Sequence, residues 1–298
     1  MVILGIDIGG TFIKYAVKVN DEIKKDKIYV RDIVESGDLD KFINELKSLI
    51  RNYDPDRIGI AVAGLIDKKE GKITNSPNLK FIENLPLKQI LEDFSKKPVY
   101  VENDASLAAL GEYSYGAGKG KEIVLCLTLG TGLGGGAVIN GQLLTGVSGS
   151  AMEVGHITIV KDGWLCHCGR KGCLEAYVSS YGLERIYFMH THKFIDSKEI
   201  IAEANEGKEE AMNSIEEFSK YLSIGLMNLT HLFNPDCIIL AGGIPEHYPL
   251  LTELATSELK HIVFPLPFRD LEIKKAELGE FSGTFGALEL GEKGGITI

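Results

Sequence analysis

Val2-Ile3-Leu4-Gly5-Ile6-Asp7-Ile8-Gly9-Gly10-Thr11-Phe12-Ile13-Lys14-Tyr15-Ala16-Val17-Lys18-Val19 is the stretch whose reading decides the fold. An apolar, β-rich run over residues 2–8 stops at Gly9 and Gly10, and an extended pattern resumes over 12–19. This predicts a strand, a glycine turn and a second strand. Asn20 and Asp21 turn the chain again into a third strand over 22–30, after which Leu39, Phe42, Ile43, Leu46 and Ile50 recur at helical spacing. Residues 57–63 predict a buried strand, 64–80 a loop rich in Gly, Asn and Pro, and 98–102 a brief strand. A helix is predicted over 105–115, closed by Gly116, Gly118 and Gly120, which mark a hinge.

Beyond that hinge the opening arrangement recurs. Residues 123–129 are apolar, 130–136 are dense in glycine, and 137–139 run into Asn140-Gly141, a strong hairpin signal. A helix over 208–233, a strand over 236–241 ended by Gly242 and Gly243, and a last helix over 283–290 complete the pattern. The last helix has an apolar face that needs a partner, and the first lobe is the expected one. Two copies of one α/β arrangement predict a two-lobed α/β protein: residues 1–118 with 283–298 in a small lobe, 119–282 in a large one.

The 298 residues suffice for two cores, and 44% hydrophobic with 25% charged is ordinary globular composition. A formal charge of −10 repels DNA and anionic lipid surfaces. Asp7, Lys14 and Lys18 break the most apolar segment well short of the ~18 residues that cross a bilayer. Nothing reads as a secretory signal, so the expected location is the cytoplasm. Gln occurs only at Gln89 and Gln142, a compositional hint of a hot-living source.

Three glycine turns follow three strands. In Asp7-Ile8-Gly9-Gly10-Thr11, backbone amides can approach a phosphate, Asp7 can hold Mg²⁺ through water and Lys14 can reach phosphate oxygens. A plain hairpin with Asp7 as a turn acceptor fits the same five residues. Gly130, Gly132 and Gly135 satisfy the G-x-G-x-x-G fingerprint, but a strand and the Asn140-Gly141 turn follow where a dinucleotide site needs a helix. NAD is excluded on that context. A hairpin of free amides at Gly130-Thr131-Gly132 still suits nucleotide phosphates, and two such hairpins could grip one triphosphate from opposite sides. Gly242-Gly243, after the strand ending at Ala241, would let an adenine lie against backbone.

Cys166, Cys168 and Cys173 lie within eight positions, with His156 ten residues upstream as a fourth ligand. Closed tetrahedral zinc and three free thiols are both compatible with this spacing. His167, between two ligating cysteines, should point away from a shared metal. Four protein ligands leave no open position, so such a zinc is structural and pins a loop. That loop carries Glu153 and Glu175, which accept hydrogen bonds from the hydroxyls of a sugar-like polyol if they are held rigid, or are solvated charges if not. Asp104 follows a strand and opens a helix, where it serves as N-cap, or as the general base that accepts the proton of an attacking hydroxyl, with Asn103 orienting that hydroxyl. Arg170 and Lys171 are too few for a nucleic-acid-binding zinc module.

These residues resemble the ROK family (repressors, open reading frames, kinases) within the actin-like ATPase superfamily. The resemblance spans essentially the whole chain and rests on residues 7–11, 102–105, 129–134, 153–156 and 166–175. It implies two ribonuclease-H-like lobes around a cleft, ATP and Mg²⁺ at the glycine turns, and transfer of the γ-phosphate to the 6-hydroxyl of an aldohexose, glucose first. By the same resemblance Asp104 is the catalytic base, and Asn78, Asn103, Asp104, Glu153, His156 and Glu175 bind the sugar. Asp7, Gly9, Gly10, Thr11, Lys14, Gly130, Thr131, Gly132, Gly242 and Gly243 bind the nucleotide. His156, Cys166, Cys168 and Cys173 hold zinc, so His156 has two duties. A Trp often found after the family's sugar-side Asn is Phe81 or absent here, which bears on sugar preference. Fructose, mannose, allose and N-acetylated hexosamines are alternative acceptors, and a sugar sensor without catalysis is the alternative role. The sequence opens on its first strand, so no DNA-reading domain is expected, and a homodimer or homotetramer is implied.

Overall fold

The computed structural model describes residues 1–67, 71–76, 79–295 and 297–298. Strand β1 (Val2–Ile8) is joined by residues 9–11 to β2 (Phe12–Val19), and Asn20, at φ 55°, turns the chain into β3 (Glu22–Tyr29). β1 is buried along most of its length because it has a neighbour on each edge and a packed layer on each face. β3 is the exposed edge strand, and its lysines oppose pairing with another chain. Helices α1 (Arg31–Ser36) and α2 (Leu39–Tyr53) follow. Asp38 caps α2 by accepting the Lys41 N–H at 3.0 Å, and the buried stripe Phe42, Ile43, Leu46, Leu49 and Ile50 faces the core that Ile6 and Ile60 also fill.

Then come β4 (Arg57–Val62), β5 (Leu65–Asp67), β6 (Lys72–Asn75), α3 (Leu87–Ser95), β7 (Val99–Asn103) and α4 (Asp104–Tyr115). Residues 64–80, expected as a plain loop, contain the β5–β6 hairpin. Its anchors are Ile66 and Ile73, paired across the ladder and buried. Strands with one core residue each are too short to show a period, which is why only the turn residues were legible.

The second half begins with β8 (Ile123–Leu129), β9 (Leu133–Ile139) and β10 (Gln142–Leu143), with Asn140 and Gly141 both at positive φ, as their turn requires. It continues through α5 (Ser180–Thr191), α6 (Ser197–Asn205), α7 (Glu209–Phe233), β11 (Cys237–Ala241), α8 (Gly243–His247), α9 (Leu251–Ile262), α10 (Pro265–Arg269) and β12 (Glu272–Lys275). The two large sheets share one topology. The first has the order β3-β2-β1-β4-β7 and the second β10-β9-β8-β11-β12, each with a meander followed by two parallel strands. Among the described residues no helix is long and apolar enough to cross a membrane.

Two compact units divide the chain: Met1–Lys119 with Gly136–Ala151 and Glu280–Ile298, and Gly120–Gly135 with Met152–Gly279. In the first, the last helix α11 (Ser282–Lys293) lies on β1, β4 and α4. Missing side chains allow that approach: a Cβ on Gly59 would stand 1.8 Å from the Ala287 carbonyl oxygen, and one on Gly286 1.8 Å from that of Leu107. Gly59→Ala is therefore expected to cost about 3 kcal/mol by overpacking. Urea unfolding checks this, and an unchanged midpoint would contradict the packing.

Candidate functional site

In the first unit the β1–β2 register sets Asp7 opposite Lys14, with Lys14 Nζ 3.6 Å from Asp7 Oδ2. The turn between them is closed by Gly9 N–H donating to the Phe12 carbonyl at 3.0 Å, while a Cβ on Gly10 would meet nothing within 4 Å. Backbone at Gly10 is therefore approachable. Thr11 accepts the Val30 N–H through its carbonyl at 2.9 Å, which ties the turn to the end of β3.

Burial pushes the Asp7 carboxyl up to about 6; Lys14 lowers it and the Asp104 charge raises it. Burial also raises Asp104. A carboxyl that ionises later in the folded than in the unfolded chain makes the folded state bind more protons between about pH 4 and 6. Stability therefore falls as pH rises through that window. Asp7→Asn is expected to narrow the loss between pH 4 and pH 7 by about 1–3 kcal/mol in ligand-free protein. Urea titrations at the two pH values check the sign; an equal loss in both proteins would contradict it.

Asn103, not Asp104, caps α4. Its Oδ1 accepts the Ser106 N–H at 3.0 Å, and its Nδ2 donates to the Gly64 carbonyl at 3.1 Å. Asp104 is the first helical residue, and its Oδ1 accepts the amide of its neighbour, Ala105 N–H, at 2.9 Å. The expectation of Asp104 as N-cap is thus corrected. Adjacent Asn and Asp are both good caps, and the one whose carbonyl closes the first turn takes the duty.

In the second unit, Gly130 N–H donates to the Gly132 carbonyl at 3.0 Å, and Ser180 N–H at the start of α5 donates to the Gly130 carbonyl at 2.8 Å. A Cβ on Gly132 would lie 2.8 Å from Glu175 Oε2. The bare Gly132 makes room for that carboxylate. Glu175 Oε2 accepts the Leu133 N–H at 3.1 Å, and Oε1 lies 3.3 Å from the Tyr181 hydroxyl. Glu175 is thus a held carboxylate. Leu133 and Tyr181 were missed in the sequence because a backbone amide and a lone helix tyrosine carry no pattern.

His156, Cys166, Cys168 and Cys173 converge, with ligand atoms within 4.8 Å of one another. His156 Nδ1 is 3.8 Å from Cys166 Sγ, and Cys168 Sγ is 3.7 Å from Cys173 Sγ. Zn–S bonds of about 2.3 Å and Zn–N bonds of about 2.1 Å in a tetrahedron set S–S edges near ~3.8 Å and S–N edges near ~3.6 Å. The donor set and its spacing fit zinc. His167 is absent from the cluster, its ring lying 4.0 Å from that of Tyr181. Backbone bonds hold the loop: Ile159 N–H to Gly172 O at 2.8 Å, Leu174 N–H to Ile157 O at 2.9 Å, and Cys166 N–H to Arg170 O at 2.8 Å.

Glu153 is exposed and stands at the apex of an inverse γ-turn, with φ −69°, ψ 54° and Val154 N–H donating to the Met152 carbonyl at 2.7 Å. Met152 beside it is left-handed at φ 67°, a conformation that packing must enforce in a residue with a Cβ. Gly242, at φ 94°, passes against Leu129, and Gly243 opens α8 with open space at its Cα. Phe81 packs edge-on against Phe42 at 5.2 Å, a core contact. Asn78 lies outside the described residues.

Two sheets of this shared order place the chain in the actin-like ATPase fold, as their structural neighbours do. The profile described as ROK family matches residues 3–293, and the chain belongs to that family. A glucokinase of Streptomyces coelicolor is 33% identical over 96% of both chains. An N-acetyl-D-glucosamine kinase of Histophilus somni is 32% identical over 96% of this chain and 97% of that one. Among solved structures, a ROK family glucokinase from Streptomyces griseus, in complex with glucose and AMPPNP, is 32% identical, covers 98% of this chain and 100% of that one, and has a TM-score of 0.82.

Proposed function

We propose that this chain is an ATP-dependent sugar kinase that transfers the γ-phosphate to the 6-hydroxyl of an aldohexose, with glucose as its main acceptor. The observation that carries the reading is the division of labour at α4, where Asn103 takes the capping bond and leaves Asp104 a desolvated carboxylate at a strand end. Relatives bearing kinase names over nearly the full chain support the class.

Asp104 accepts the proton of the sugar hydroxyl as its oxygen bonds to the γ-phosphorus and the bond to the β,γ-bridging oxygen breaks, releasing ADP. Because the transition state is loose, the base acts mainly through positioning and late proton removal. Gly9, Gly10, Thr11, Gly130, Thr131 and Gly132 offer amides to the phosphates, Lys14 adds a cation, and Gly242 and Gly243 take the adenine side. Mg²⁺, held through water by Asp7, would neutralise phosphate charge. Glu153 and Glu175 accept hydrogen bonds from sugar hydroxyls, Asn103 and Asn78 orient the sugar, and His156 binds it through Nε2 while Nδ1 serves the cysteine cluster. Zinc on that cluster would fix the loop carrying both glutamates, without a role in the chemistry.

Coupled ADP release over glucose, mannose, fructose, allose, N-acetylglucosamine and N-acetylmannosamine tests the reading. Glucose should give the highest kcat/KM. A silent panel with zinc-loaded protein would favour a sugar sensor, and an N-acetylated sugar in first place would move the acceptor.

A further inference from the structure

We infer that Tyr181 is a positioning residue for the acceptor sugar, acting through Glu175; this rests on the reading of Glu175 as a sugar ligand. The hydroxyl of Tyr181 is 3.3 Å from Glu175 Oε1 and 3.7 Å from Cys166 Sγ, and those two atoms are 3.4 Å apart. As a free thiol, Cys166 could donate its hydrogen to Glu175. As a metal-bound thiolate it is an acceptor, and it then faces a carboxylate oxygen with no hydrogen of its own to share. The Tyr181 hydroxyl supplies the hydrogen that both acceptors face. Without it, two negative groups stand in contact and the Glu175 carboxylate swings off the orientation that Leu133 N–H sets on Oε2.

Tyr181 is held for this task. It is the second residue of α5, whose cap Ser179 accepts the Gly182 N–H at 3.3 Å, while the adjacent Ser180 N–H is bound to Gly130. The His167 ring covers the Tyr181 ring at 4.0 Å and 30°. One turn along the helix, the Arg185 guanidinium lies 5.9 Å from the Tyr181 ring and 5.0 Å from that of Trp164, which stacks on Tyr177 at 4.5 Å. The ring is thus held between His167 and Arg185, and Tyr181 sets the direction of a carboxylate that the cysteine-bearing loop delivers.

The test compares wild type, Tyr181→Phe, His167→Ala, Glu175→Gln and the Tyr181→Phe/Glu175→Gln pair. It uses calorimetric titration with glucose in the absence of nucleotide, steady-state kinetics and zinc content. Tyr181→Phe should weaken glucose binding about tenfold, as loss of one charge-assisted hydrogen bond does. The KM for ATP should stay within about twofold and zinc at about one per chain. His167→Ala should weaken binding a few-fold in the same direction. In the Glu175→Gln background the Tyr181 substitution should add less than about twofold, because the carboxylate through which it acts is gone. Glucose binding by Tyr181→Phe within about twofold of wild type, or an equal loss in both backgrounds, would overturn the inference while leaving the sugar-kinase reading intact. Wild type that binds no hexose would remove that reading first, and this inference with it.

Discussion

Asp104→Asn is expected to lower kcat by about a thousandfold, within the ~10²–10⁴ that loss of a general base costs. The isosteric amide keeps the shape of the site and cannot take the proton. Because the cap of α4 is Asn103, the helix start is untouched, so the defect should be chemical rather than structural. Burial raises Asp104 above the usual carboxylate range, which means that the ionised form is disfavoured where it stands. A neutral amide relieves that cost, and the melting temperature should hold or rise. Sugar binding by calorimetry should stay within about threefold. A variant that turns over at more than a tenth of the wild-type rate would remove Asp104 from the mechanism.

Loss of the proposed zinc is expected to have the second large effect. Cys173→Ser is expected to abolish zinc retention, lower the melting temperature by about 10 °C and weaken glucose binding more than tenfold. Cys173 is buried and bridged to Thr158 across the loop, and the next residue, Leu174, bonds back to Ile157. The loop therefore closes on itself at the cysteine cluster, with Glu175 just beyond. Within the arm 161–171, Leu165, Cys168 and Lys171 are exposed, and the cysteine cluster adds its hold to that of Trp164, which stacks on Tyr177, and of His167, which lies against Tyr181. Zinc analysis, thermal unfolding and glucose titration on the same preparation check this. Zinc-free protein that binds glucose like wild type would separate the cluster from the sugar.

Much of the fold was legible because its signals are local. The turns at 9–11 and 130–132 are bounded by apolar strands, and Asn140-Gly141 needs positive φ at both residues and has it. The long amphipathic helix α7 showed its own period. No element is predicted over 87–95 or 180–205, where α3, α5 and α6 lie, nor over β12. β12 is a short edge strand whose EIKK sequence has little alternation to read. The docking of α11 was written in glycines such as Gly59, but a missing side chain has no period and its partner is more than two hundred positions away.

The candidate site divides along the same line. Cysteine spacing is a sequence property, and His156, Cys166, Cys168 and Cys173 do converge, while the His167 ring lies against Tyr181. Which of Asn103 and Asp104 caps the helix is decided by one turn of backbone, not by residue type. The grip on Glu175 depends on a backbone amide at Leu133 and a ring at Tyr181, contacts that form only once the glycine turn and α5 are folded together. Such contacts leave no trace in one sequence.

Phosphorus NMR of the products is the most direct test of phosphoryl transfer to the 6-hydroxyl. With zinc-loaded protein, ATP, Mg²⁺ and glucose, ADP and glucose 6-phosphate should appear in equal amounts, and 6-deoxyglucose should give neither. ADP without a sugar phosphate, phosphate on another hydroxyl, or turnover of 6-deoxyglucose would contradict the account.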